Sequence, residues 1–217
     1  MSERDLYPSV QRWLSERYEC LDTFVNKGIT YGRIDVSGIR HVGGHLTGAS
    51  EFVAVEVKTD REPFGTAVGQ AAGYSVYADR CYLAAVRPDS GFNTDELAIA
   101  GHLGIGLLHL RRRGRGASVT EQLTAPLRQP LPQLRARYVD NLGYAFCAIC
   151  ASVFYRGDYR DGNWSQNIAR ESREKAIDEG KGLAWWLYNF GDAQGDQRDG
   201  YRFRRYLCPD CVSGLLA

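Results

Sequence analysis

The stretch "EFVAVEVKTD", residues 51–60, limits the fold more than any other part of the chain. Val53, Ala54, Val55 and Val57 make it almost continuously apolar, as expected for a strand covered on both faces in the middle of a sheet. Glu56 and Lys58 interrupt that pattern. Two residues apart, they point to one face of a strand while Val55 and Val57 point to the other. A buried charge without a partner is costly, so each of them needs one. From these two residues alone, a mutual ion pair at the strand's solvent end and a chemical site both remain open.

The flanking segments supply the rest of a sheet. "SERDLYPSVQRWLSERY" places Leu6, Val10, Trp13, Leu14 and Arg17 at helical spacing, with Ser2 as N-cap and Pro8 tolerated in the first turns. "CLDTFVNKGITYGRIDVSGIRHV" predicts two short strands broken at Gly28 and Gly32, followed by a hairpin-like loop, "GGHLTGAS". Beyond the apolar strand come an Ala/Gly-rich helix ("FGTAVGQAAGYSVYADR"), a buried strand ("CYLAAV"), a helix ("TDELAIAGHLG") and a buried strand ("IGLLHL"). The order α-β-β-β-α-β-α-β predicts an α/β fold with a mixed sheet flanked by helices. "RRRGRG" and the Pro-, Gly- and Arg-rich segment after it read as a linker over 111–137. That divides the chain into 1–110, the linker 111–137, and 138–217.

Composition excludes some classes. With 44% hydrophobic and 12% aromatic residues the chain can build a core, so wholesale disorder is not expected. No apolar run is long enough for a membrane-spanning helix, and the charged N-terminus lacks a secretory h-region, so a cytoplasmic protein without membrane attachment is expected. Net charge is only +1, but it is unevenly spread. Residues 1–110 carry 10 Lys and Arg against 14 Asp and Glu, and residues 111–217 carry 17 against 12. The basic surplus lies in the second half. Cys20 and Cys81 stand alone among apolar neighbours and read as small core residues.

Asp35, in "GRIDVSG", lies on a predicted strand that can run beside Glu56. Two neighbouring carboxylates repel unless a cation lies between them. Hard oxygen donors, with the Val57 carbonyl as a third, suit Mg²⁺ or Mn²⁺ and a phosphate substrate. Lys58 beside them would orient a water or neutralise a pentavalent phosphate.

Asp35 followed by Glu56-Val57-Lys58 resembles the D…(D/E)xK signature of the PD-(D/E)xK nuclease superfamily, with Ile34 where the motif's proline stands. "ERDLYPSVQRWL" resembles the opening helix of several such families, in which a glutamate at the position of Glu3 completes the metal site. Glu16 is a weaker alternative on the same helix. "QAAGY" resembles the QxxxY element of RecB-like and resolvase-like members, which implies site roles for Gln70 and a phosphate contact for Tyr74. "ADRCYLAAV" and "LGIGLLHL" resemble the two strands that close that core. The resemblance covers about residues 1–110. It implies a restriction-endonuclease-like fold with an αβββαβ core and a Mg²⁺-dependent DNA nuclease, DNA being the expected partner ahead of RNA. Because many enzymes of this fold cut as dimers, a homodimer is also within expectation. His41 and His45 read as exposed loop residues, and His102 and His109 as structural ones.

In the second half, "FCAIC" (Cys147, Cys150) and "LCPDC" (Cys208, Cys211) form two CxxC pairs suited to one tetrahedral Zn²⁺. A helix predicted within "SQNIARESREKAIDEGKGLAWWLYNF" would sit between them as an insert in a small zinc-stapled C-terminal domain. Trp185 and Trp186 are adjacent on it, one facing the core and the other an edge. "GYRFRRYLC" alternates aromatic residues with Arg202, Arg204 and Arg205, a pattern that serves either a nucleic-acid surface or an ordinary half-buried strand. The nuclease expectation therefore stands beside an alternative of another class, a catalytically inactive nucleic-acid-binding or adaptor protein on the same fold.

Overall fold

In the computed structural model, residues 2–29, 32–42, 50–114, 116–147, 150 and 152–155 are described. Leu6, Tyr7, Val10, Leu14 and Tyr18 are buried at helical spacing, and helix α1 spans Tyr7–Tyr18 with Pro8 in its first turn. A single 3-10 turn, Glu3–Asp5, precedes it, and Ser2 caps that turn, donating its backbone N–H to Asp5 Oδ2 at 2.6 Å. Leu6 occupies the N-cap position of α1 itself.

Six strands follow: β1 (Asp22–Ile29), β2 (Gly32–His41), β3 (Ser50–Lys58), β4 (Arg80–Val86), β5 (Gly106–Arg113) and β6 (Gly116–Leu123). They form one sheet in chain order. β1 and β2 are antiparallel, β3, β4 and β5 are parallel, and β5 and β6 are antiparallel. Parallel neighbours need long crossovers, supplied here by α2 (Phe64–Gly73, continued by a 3-10 turn at Tyr74–Val76) and α3 (Thr94–Leu103). The α/β architecture and the helix–strand order through β5 are those expected from the pattern. β3 is buried from Glu51 to Val57, as its apolar run requires.

Each face of the sheet has its own cover. Val36, Val53, Val55, Val57, Tyr82 and Leu108 pack on the buried side of α1. On the opposite face, the Phe52 ring meets Tyr138 of α4 (Pro132–Asn141) at 4.8 Å between centroids, and Ser37 Oγ lies 3.2 Å from the Tyr138 hydroxyl. Close approach excludes a side chain at Gly38, where a Cβ would lie 2.6 Å from Cys20 Sγ.

Two expectations are corrected. Residues 111–137 are not a linker, because β5 runs on to Arg113, turns at Gly114 (φ 56) and returns as β6, after which α4 begins at Pro132. The arginines are the exposed end of a paired strand, and their charge obscured the strand signal. One compact unit comprises Met1–Val42 and Glu51–Leu142, so the boundary falls after α4 and not at 137/138. Gly28 is the second correction: it stays within β1, paired with Arg33, and breaks nothing.

A second compact unit comprises Gly43–Ser50 and Gly143–Ala217. Its described residues include a hairpin of β7 (Tyr144–Phe146) and β8 (Val153–Tyr155). The expected inserted helix, His45, Trp185, Trp186, Arg202, Arg204, Arg205, Cys208 and Cys211 lie outside the described residues. Among the described residues, no helix is long and apolar enough to cross a membrane.

Candidate active site

Parallel strands gather functional groups at their carboxyl ends, and β3 ends with its two charged residues. Strand alternation sends Val55 and Val57 into the core against α1, which turns Glu56 and Lys58 to the other face. Glu56 is 4% exposed. Lys58 Nζ lies 2.6 Å from Glu56 Oε1 and 3.6 Å from Glu3 Oε1. Asp35 reaches in from β2: its Oδ2 accepts the Val57 backbone N–H at 2.9 Å and its Oδ1 accepts the Tyr7 hydroxyl at 2.9 Å. The Tyr74 hydroxyl, at the end of α2, donates to Glu56 Oε2 and also lies 2.8 Å from the Arg33 carbonyl.

Three carboxylates therefore surround one lysine, a surplus of two negative charges when all four groups are ionised. Burial, and next the Asp35 charge, raise the Glu56 carboxyl above the usual carboxylate range, with Lys58 and Tyr74 pulling the other way. Burial also works against the Lys58 ammonium, but its pairing with Glu56, and then Glu3 and Asp35, outweigh that and hold it above an ordinary lysine. The Tyr7 phenol is raised by burial and by Asp35, and the Tyr74 phenol by burial and by Glu56. Both tyrosines thus remain protonated donors that fix the carboxylates.

Known protein families, curated proteins and solved structures offer no match to this chain. The reading of the site rests on its own geometry.

That geometry brings Glu3, Asp35, Glu56 and Lys58 together, with the Val57 backbone between the two strands. It does not bring in Gln70, which is exposed on α2, nor Glu16, exposed on α1. Tyr74 is 8% exposed with its hydroxyl on Glu56, where it braces the carboxylate. His41 and His102 are exposed, and His109 is buried with a ring nitrogen 3.4 Å from the Arg87 carbonyl. Tyr7 was missed by the motif reading. Its one legible signal was the spacing of four residues from Glu3, which carries both toward the end of β3.

Among the described residues, no group of three or more His, Cys, Asp or Glu is arranged to hold a metal ion. The donors that fit Mg²⁺ are the Asp35–Glu56 pair, since Mg²⁺ commonly takes only one or two protein carboxylates and fills its shell with water and phosphate. The fit is electrostatic as well: a divalent cation would cancel the surplus negative charge left by Glu3, Asp35, Glu56 and Lys58.

In the second unit, Cys147 and Cys150 lie where β7 turns toward β8. The Cys147 N–H donates to the Ser152 carbonyl at 2.8 Å, and Cys150 Sγ lies 3.0 Å from Ser152 Oγ. A CxxC closing a short hairpin can present both sulfurs to one side, as a zinc knuckle requires.

Proposed function

We propose that the first unit is a nuclease of the PD-(D/E)xK type that hydrolyses DNA phosphodiester bonds with Mg²⁺ or Mn²⁺. The observation that carries this reading is the convergence of Asp35, Glu56, Lys58 and Glu3 at the carboxyl end of the central strand. Asp35 and Glu56, with the Val57 carbonyl, would hold the metal. When bound, it supplies charge neutralisation at the phosphate and a more acidic water.

Lys58 does not act as a base, because the groups around it favour its protonated form. It serves as a fixed donor that positions the attacking water and faces the charge growing on the phosphate oxygens. Glu3, 3.6 Å away, steadies the lysine. Tyr7 and Tyr74 each occupy one oxygen of a carboxylate, which leaves Asp35 and Glu56 little freedom to rotate. Gln70 has no part in this assignment.

The surroundings suit a polyanion. Arg111, Arg112 and Arg113 lie at the carboxyl end of β5, which is parallel to β4 and, through it, to β3. Arg112 pairs with Asp60 at 3.1 Å and Arg111 with Asp89 at 2.9 Å, while Arg113 is exposed and makes no ion pair among the described residues. In the second unit, Cys147, Cys150, Cys208 and Cys211 would hold a structural Zn²⁺, and Arg202, Arg204 and Arg205 would grip the nucleic acid.

One observation favours the second reading, a nucleic-acid-binding protein that does not cut: Lys58 already closes on Glu56 at 2.6 Å. Incubating labelled single-stranded, duplex and branched DNA with Mg²⁺ or Mn²⁺ separates the two. The nuclease reading predicts cutting by the wild type that Glu56→Ala and Lys58→Ala abolish. Binding without cutting of any substrate would transfer the assignment to the binding protein.

A further inference from the structure

Tyr7 takes part in two places. Its hydroxyl donates to Asp35, and the residue also lines an open groove of about 340 Å³ together with Arg4, Pro8, Gln11, Val25 and Asn26. The groove therefore adjoins the catalytic carboxylate without sharing its charged groups.

The edge strand changes shape at this point. Val25 pairs with Val36 and Lys27 with Ile34, which sets Asn26 opposite Asp35, at the one position between Asp22 and Ile29 that carries no ladder partner. Asn26 adopts φ 53, in the left-handed region, which Asn tolerates better than most residues. Strain of this kind beside a reactive group points to function.

The lining has the chemistry of a nucleotide site. Arg4 is exposed and makes no ion pair among the described residues, so its charge is available to a phosphate. Gln11 donates its amide N–H to Thr23 Oγ1 at 3.2 Å, which fixes the side chain and leaves its carbonyl oxygen to accept. Asn26 adds a second amide, and Pro8 and Val25 give apolar surface for a base. The volume is near the low end of ligand sites, about 300 Å³, enough for one nucleotide and too small for a base pair.

We propose that this groove is the subsite for the unpaired nucleotide next to the phosphate that is cut, with Arg4 on its backbone and Gln11 and Asn26 on the polar edge of its base. Its place in a cutting reaction rests on the nuclease reading, but its capacity to bind a strand does not. The substrate it selects is single-stranded DNA or the frayed end of a duplex.

The test measures binding of a short fluorescein-labelled oligothymidylate to the full chain without added Mg²⁺, and cleavage of the same strand in Mg²⁺. Arg4→Ala is expected to weaken binding about tenfold and to lower the salt slope by about 0.7, the value for one phosphate contact on a single strand. Asn26→Gly, which keeps the left-handed backbone accessible, is expected to weaken binding a few-fold. Arg12→Ala, exposed on α1 and outside the groove, is expected to bind as the wild type does. Glu56→Ala is expected to bind without added Mg²⁺ and not to cut when Mg²⁺ is supplied.

Cleavage with binding and KM unaffected by Arg4→Ala and Asn26→Gly would overturn the subsite and leave the nuclease standing. Equal affinity for a matched duplex, or no strand binding, would also overturn the subsite. Absence of cutting with strand binding still weakened by Arg4→Ala would support the subsite and remove the nuclease reading.

Discussion

Replacing Tyr74 by Phe removes one oxygen atom and tests how the site carboxylate is held. The Tyr74 hydroxyl has a single proton and two acceptors near it, Glu56 Oε2 and the Arg33 carbonyl. While Glu56 is ionised, the proton is best placed on the carboxylate. Losing a hydrogen bond to a buried charged group costs about 1.5–3 kcal/mol. At about 2 kcal/mol, a unit of this size should melt roughly 4–8 °C lower. The substitution also leaves Glu56 with less support for its charge, so its already raised carboxyl rises further. The sign with pH follows. A carboxyl raised in the folded state binds its proton more readily there than in the unfolded chain, so it takes stability away as pH rises past the unfolded value. Tyr74→Phe enlarges that loss. The melting difference from wild type should be greatest near pH 8 and shrink as pH falls through the raised Glu56 carboxyl, whose protonation removes the charge the hydroxyl supports. Thermal unfolding followed by circular dichroism across that range reads this directly. Equal melting temperatures at pH 8, or a difference that does not change with pH, would refute the placement of this proton.

Glu51 behaves in the opposite sense. Burial acts to raise it, but hydrogen bonds from Arg80 and Arg40 prevail and hold it below the usual carboxylate range. It therefore contributes stability at neutral pH that is lost as pH falls through its depressed value, and Glu51→Gln should cost about 2–3 kcal/mol at pH 7 and much less in acid, by urea melts at both. Gly38→Ala puts a methyl 2.6 Å from Cys20 Sγ and should cost about 2 kcal/mol, most of which Cys20→Ala should restore in a double-mutant comparison. Burial pushes the Cys81 thiol up to about 12, so it should resist iodoacetamide in the folded protein and react once denaturant is added, as mass spectrometry of the labelled chain will show.

Parts of this arrangement were legible in the sequence because their cause is local. A nine-residue strand buried along nearly its whole length has to be apolar, and two charges on one of its faces stand out against that background. The burial of Leu6, Val10 and Leu14 follows from helical spacing alone. What was lost depended on contacts distant in the chain. Gln70 and Tyr74 were joined only by the resemblance of "QAAGY" to a QxxxY element. The helix ends at Gly73 and tightens into a 3-10 turn, with Tyr74 buried and Gln70 left in solvent. Tyr7 finds Asp35 twenty-eight residues away, across the end of the sheet, and no periodicity announces that. The strand β6 was hidden by the arginines before it and the prolines after it, although Val119, Glu121 and Leu123 alternate as an edge strand should.

The central claim is that Asp35 and Glu56 are gathered for a divalent cation, with Lys58 beside it. Titration of the protein with Mn²⁺, following free metal by electron paramagnetic resonance, tests it most directly. The account predicts a site in the wild type that Asp35→Asn and Glu56→Gln each weaken at least tenfold, with Glu16→Gln, exposed on α1, binding as the wild type does. Mn²⁺ binding that is indifferent to both carboxylates, or no binding at all, would contradict it.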